Sequence, residues 1–191
     1  MKSEEHKSLY FKKAGEEATE MLFKFVKDCA KKRGIKDLVV ASTTGATGAK
    51  ASKIFKGLNL VVVTHHSGFA KSGETELTEE HRKEMLANGA KIVTGTHALS
   101  GVEGAIRRKF NTLEPMELVA STYRTFGQGT KVCVEIALMA ADAGFLPVDR
   151  DVISMAGTGK GADTALLLRP TNSSNFFDLK IREVIAKPSD F

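Results

Sequence analysis

Leu38-Val39-Val40-Ala41-Ser42-Thr43-Thr44-Gly45-Ala46-Thr47-Gly48 is the stretch on which the fold turns. Four consecutive apolar residues, two of them β-branched, read as a strand buried on both faces. The small hydroxyl and glycine residues after them open a helix running to about Phe55. A strand, a phosphate-sized turn and a helix start are therefore predicted in succession. The unpaired N–H groups of a helix N-terminus carry about half a positive charge, and small side chains let an anion approach them. Leu58 to Thr64 supplies a second buried strand, so the unit is a parallel βαβ with a right-handed crossover.

Downstream, the polar loop from His65 to Leu77 is followed by Thr78, a cap for a helix that Gly89 ends. Lys91 to Thr96 reads as a third strand. Ser100 and Glu103 have capping-box spacing for a helix ending near Phe110, and Pro115 lies in the first turn of a helix over Glu114 to Thr125. Lys131 to Ala143 is a strongly apolar helix. Asp151 to Ala156 and Ala162 to Arg169 read as strands around a glycine loop, and Asp178 to Ala186 fits a strand or a short helix. Upstream, Leu9-Tyr10, Ala14, Ala18, Met21-Leu22, Phe25-Val26 and Cys29-Ala30 share one helical stripe, which predicts an amphipathic helix from about Lys7 to Lys32, bent at Gly15. The expectation is one three-layer α/β/α domain over 1–191 with a mostly parallel mixed sheet, residues 1–34 forming the N-terminal helix packed on it.

Composition narrows the function. At 191 residues the chain is long enough for one core without staples. Two cysteines, at 29 and 133, point to a reducing compartment, and cytoplasm is the expected location. No apolar run reaches the ~20 residues of a bilayer span, so no membrane partner is expected. The net charge of +5 is spread among alternating Lys, Arg, Glu and Asp, a pattern that argues against nucleic acid. The long N-terminal helix exceeds what one sheet face needs, which predicts a homo-oligomer.

The candidate ligand residues lie at strand ends and glycine turns. They are Ser42, Thr43, Thr44 and Gly45 after the first strand, and Thr64, His65, Ser67, Gly68 and Phe69 after the second. Thr96 and His97 follow the third. Gly127, Gln128 and Gly129 precede the apolar helix, and Gly157, Thr158, Gly159 and Lys160 form the late loop. There is no Gly-x-Gly-x-x-Gly with a downstream acid, so a dinucleotide is not expected. The late loop is no Walker A motif, because Ser154 stands where its first glycine belongs and Gly161 where Ser or Thr would hold magnesium. His65 and His66 are adjacent, point to opposite sides of an extended backbone and so share no metal ion. Cys133 sits near a helix start but in an apolar context that favours an inert thiol. No catalytic triad or carboxylate pair emerges from spacing.

Three runs carry a resemblance: Phe126-Gly-Gln-Gly-Thr-Lys-Val-Cys-Val-Glu-Ile136, Gly161-Ala-Asp-Thr-Ala-Leu-Leu-Leu-Arg-Pro170 and Asn175-Phe-Phe-Asp178. With Ser42-Thr43-Thr44-Gly45, they make the chain similar to stand-alone proteins resembling the C-terminal α/β domain of pyruvate kinase. The resemblance implies a mixed sheet whose last strand is antiparallel, a phosphate region at the strand ends and, without the catalytic barrel, no pyruvate kinase activity. Such relatives resemble flavin mononucleotide (FMN) binders. The leading expectation is thus an FMN-binding protein whose phosphate lies on Thr43 to Gly45. The alternative is a non-catalytic sensor of a phosphorylated metabolite. Gly157-Thr-Gly-Lys-Gly-Ala-Asp163 carries a glycine beyond the family pattern, which leaves the role of Lys160 open.

Overall fold

The alternation Leu38, Val40 on one side and Val39 on the other buries Asp37–Ala41 (β2) from both faces, and the rest of the sheet grows from it. A computed structural model describes residues 3–191. Its other strands are Leu9–Lys13 (β1), Asn59–Thr64 (β3), Lys91–Thr94 (β4), Val152–Ala156 (β5), Thr164–Arg169 (β6) and Lys180–Asp190 (β7). The helices are Thr19–Arg33 (α1), Ala46–Ile54 (α2), Glu79–Ala87 (α3), Gly101–Phe110 (α4), Pro115–Arg124 (α5) and Gln128–Asp142 (α6). The sheet order is β1-β7-β6-β5-β2-β3-β4.

One face carries α1, α2 and α3, with Leu22, Phe23, Val26, Phe55 and Met85 packed on Leu38, Val40, Val62, Ile153 and Met155. The opposite face is covered mainly by α6, whose Cys133, Val134, Ala137 and Leu138 meet Val39, Val61, Leu166 and Leu168. The architecture is the predicted three-layer α/β sandwich with a mostly parallel sheet.

Two expectations are corrected. The N-terminal helix does not begin at Lys7. Leu9 and Phe11 pack on the first core cluster while Tyr10 between them is 57% exposed, a period of two rather than 3.6. Residues 9–13 pair in parallel with β7, Leu9 opposite Ala186. Gly15, at φ 133 and ψ −176, then redirects the chain in a conformation open to glycine alone. With α1 confined to Thr19–Arg33, the helix no longer outruns one sheet face, and that reason for an oligomer falls away. The second correction concerns strand direction. The reversed strand is β6, antiparallel to both β5 and β7, so the last strand runs with the majority. Lys180–Asp190 resolves the strand-or-helix ambiguity as strand, because its apolar Ile185 and Ala186 fill the sheet between β6 and β1.

Cap chemistry decides smaller matters. Thr78 caps α3 by accepting the His81 N–H. Ser100 makes no cap bond, and its partner Glu103 instead accepts the Met116 N–H at 2.8 Å, tying α4 to the start of α5.

Candidate functional site

The crossovers β1–α1–β2 and β2–α2–β3 run toward the β4 edge over one face. The connection from β4 through α6 returns over the other face to place β5 on the far side of β2. The chain therefore diverges from between β2 and β5, and in open α/β sheets the crevice beyond the strand carboxyl ends at such a point is where ligands bind. The turn after β2 and the loop after β5 flank it.

In the β2–α2 turn the Ser42 hydroxyl accepts the Gly48 N–H at 3.0 Å, capping α2 from inside the fold. The main-chain N–H groups of Thr43, Thr44, Gly45, Ala46 and Thr47 meet no acceptor among the described residues, so five donors are left unpaired at the positive end of the helix. Gly45 has a reason other than anion approach. Its φ is +97, and a Cβ there would lie 2.5 Å from His81 Cβ and 2.7 Å from Leu77 Cδ1. His81 also donates through Nδ1 to the Thr44 carbonyl at 3.0 Å, so α3 buttresses the turn from behind.

The loop after β3 departs from expectation. The strand stops at Thr64, and the two imidazoles do not diverge: His65 and His66 both lie within 5.5 Å, centroid to centroid, of Phe69 and of His97 from the β4 end. Phe69 stacks on His65 at 3.9 Å and remains half exposed. His65 accepts or donates at both nitrogens, Nδ1 lying 2.7 Å from Glu76 Oε2 and Nε2 lying 3.4 Å from Thr43 Oγ1. A carboxylate, an imidazole and a hydroxyl thus form one chain ending on the β2–α2 turn. Burial drives the His97 pKa down to about 4, with Glu135 opposing and His65, Lys131 and His66 adding to the fall. Other predicted hydroxyls serve the fold, since Thr64 bonds to Thr94 Oγ1 at 2.7 Å and Ser67 bonds to the Glu74 carbonyl. Gly68 donates to the same carbonyl, closing the loop on itself, while Thr96 is exposed.

On the other flank, the fully buried Asp163 accepts the Gly15 and Thr158 N–H groups through Oδ2 and the Thr164 hydroxyl through Oδ1. It pins Thr158 in the loop after β5, leaving Gly159 and Lys160 exposed. Thr158 Oγ1 is buried and has no hydrogen-bond partner among the described residues. The α6 N-terminus joins this flank, because a Cβ on Gly129 would overlap the Thr164 hydroxyl. Gln128 accepts from Arg124 Nε at 3.0 Å, and the Phe191 ring lies against Gly127. The predicted residues accordingly gather as two groups along one sheet edge, one joined through Thr43–His65 and the ring cluster, the other through Asp163.

Cys133 falls in the second turn of α6, fully buried, its thiol donating to the Ser154 carbonyl at 3.3 Å, and burial pushes its pKa far up. A cleft of about 890 Å³ lies at the opposite end of the sheet, where Arg33, Arg150 and Arg182 are paired with Glu183, Asp37 and Asp151. Another, of about 560 Å³, includes only Thr96 and His97 of the predicted residues.

Glu76, Asp163, and the buried Lys131–Glu135 pair at 2.5 Å were not among the predicted site residues. For Lys131 and Glu135 the i, i+4 spacing was visible, though the apolar helix around them concealed that the pair is buried against the loop after β4, where Glu135 also accepts the Leu99 N–H at 3.1 Å. Glu76 had no signal, since only the doubling back of the 65–77 loop brings it to His65. Residues 20–168 match the sequence model of the family described as pyruvate kinase, alpha/beta domain.

Proposed function

The chain belongs to the pyruvate kinase alpha/beta domain family, and from that premise we propose that it binds a phosphate-bearing small molecule at the β2–α2 turn, with FMN as the ligand. The observation that carries the reading is the row of five unpaired N–H groups from Thr43 to Thr47 at the divergence between β2 and β5. Thr158, in the loop after β5 on the other flank of the divergence, supports it, because its buried hydroxyl has no partner among the described residues and a ligand oxygen would restore the stability this costs. Phe69, half exposed, offers ring surface to a flat ligand. His65 at 3.9 Å and His97 at 5.2 Å already lie against that ring, and this favours the second reading, a phosphorylated metabolite without a ring system.

Absorbance of the purified protein and titration with FMN, riboflavin and a sugar phosphate separate the readings. FMN binding at least tenfold tighter than riboflavin is expected. Thr158→Val removes the orphaned hydroxyl at nearly constant volume. It should leave the ligand-free stability unchanged or raised and weaken FMN about tenfold, one hydrogen bond to a charged group. Equal affinity for FMN and riboflavin overturns the phosphate assignment, and binding of sugar phosphates without flavin selects the second reading.

A further inference from the structure

The Glu76–His65–Thr43 chain bears on which phosphates the turn accepts, and resting on the phosphate reading above, we propose that it makes the site selective for a phosphomonoester dianion over a diester by taking up one proton when the dianion binds. An ionised carboxylate only accepts hydrogen bonds, so His65 Nδ1, 2.7 Å from Glu76 Oε2, carries a proton. In a neutral imidazole Nε2 then bears the lone pair, and the Thr43 hydroxyl, 3.4 Å away, turns its hydrogen toward it. Thr43 meanwhile presents only lone pairs to the crevice, where they repel an anion sitting on the amides of residues 43–47.

A proton on Nε2 reverses the chain. The imidazolium donates to Glu76 through Nδ1 and to Thr43 Oγ1 through Nε2, and the freed Thr43 hydrogen points at the ligand. The gain is one charge-assisted hydrogen bond and one nearby positive charge, both worth more to an oxygen set carrying two charges than to one carrying a single charge. The proton comes from solvent and no covalent bond changes. Every charged or titratable neighbour of the imidazole bears on this step. Glu76, from the loop before α3, favours the cation. His66 beside it is tied through Nδ1 to the Ser67 carbonyl at 2.7 Å. His97, 5.2 Å away from the β4 end, is held neutral by burial, and behind it Lys131 and Glu135 neutralise each other. Phe69 and Thr43, which also contact the imidazole, carry no charge.

The test is calorimetric titration of the whole protein at pH 8 with FMN and with riboflavin cyclic 4′,5′-phosphate, a diester bearing the same ring, in two buffers that differ in ionisation enthalpy. Wild-type protein should take up between half and one proton per FMN and bind FMN at least tenfold tighter than the cyclic diester. Glu76→Gln keeps a hydrogen-bonding partner for Nδ1 but removes the charge that favours the imidazolium. It should lose most of the proton uptake and most of the preference while riboflavin affinity stays within twofold. His65→Gln should abolish both. FMN binding with no buffer dependence, or with uptake undiminished in both variants, overturns the proposal while leaving the phosphate reading intact. Equal binding of FMN and riboflavin, or binding of neither, overturns both.

Discussion

Replacing Asp163 tests the hinge between the fold and the crevice. Its carboxylate is fully buried and accepts three hydrogen bonds, from the Gly15 N–H at 3.0 Å, the Thr158 N–H at 3.1 Å and the Thr164 hydroxyl at 2.7 Å. In Asp163→Asn the amide oxygen can keep the two main-chain donors, and the Thr164 hydroxyl can rotate to accept from the new NH₂. Geometry survives and charge is lost. A hydrogen bond to a charged group is worth roughly 1 kcal/mol more than a neutral one, so the three bonds lose about 3 kcal/mol, and relief from burying a charge leaves a net cost of about 2 kcal/mol. Asp163→Ala leaves three donors without an acceptor at about 1–3 kcal/mol each, hence roughly 3–9 kcal/mol. Urea unfolding at pH 7 should show the midpoint falling in that order at constant slope, with a melting point lowered by about 4–8 °C for the Asn variant. A cost below about 0.5 kcal/mol for Asn, or equal costs for Asn and Ala, would refute the view that a charged acceptor holds the β1–α1 junction to the loop after β5.

Lys131→Met should cost about 3–5 kcal/mol by stranding the Glu135 charge, both partners being under a tenth exposed. Adding Glu135→Gln, which preserves an acceptor for the Leu99 N–H, should recover at least half in chemical unfolding. The His97 pKa lies below the 6.5 of the unfolded chain, so the unfolded state binds more protons as pH falls. Stability should therefore be full above about pH 6.5 and decline from there toward pH 4, by at most about 1.4 kcal/mol per pH unit, and His97→Gln should flatten that part of the profile. Thiol titration of the native protein at pH 8 should modify the half-buried Cys29 slowly and leave Cys133 untouched until denaturant is added.

What the sequence disclosed follows the range of the interactions involved. The β2–α2 turn was legible because a four-residue apolar run, a hydroxyl cluster and a glycine specify strand, cap and helix within eleven positions. Even there the reason for Gly45 was hidden, since His81 and Leu77 reach it from α3. Leu9 to Lys13 was misread because its apolar residues satisfy a helical stripe continued from α1, whereas its conformation is set by β7 at the far end of the chain. The β3–α3 loop revealed its histidines but not their carboxylate, as spacing in sequence says nothing about how a glycine-bearing loop closes.

The parallel pairing of β1 with β7 has a kinetic meaning. Leu9 finds its ladder partner at Ala186, after every other strand has been made. On a ribosome β1 must therefore wait for β7, while β2, β3 and β4 can pair as soon as their crossovers close. Until then β7 has not covered the outer edge of β6, and Leu22, Phe23 and Val26 of α1 can settle on a sheet lacking its two outermost strands. Final closure at that side is the longest-range event in the fold, and refolding should show it as the last protection gained by main-chain amides.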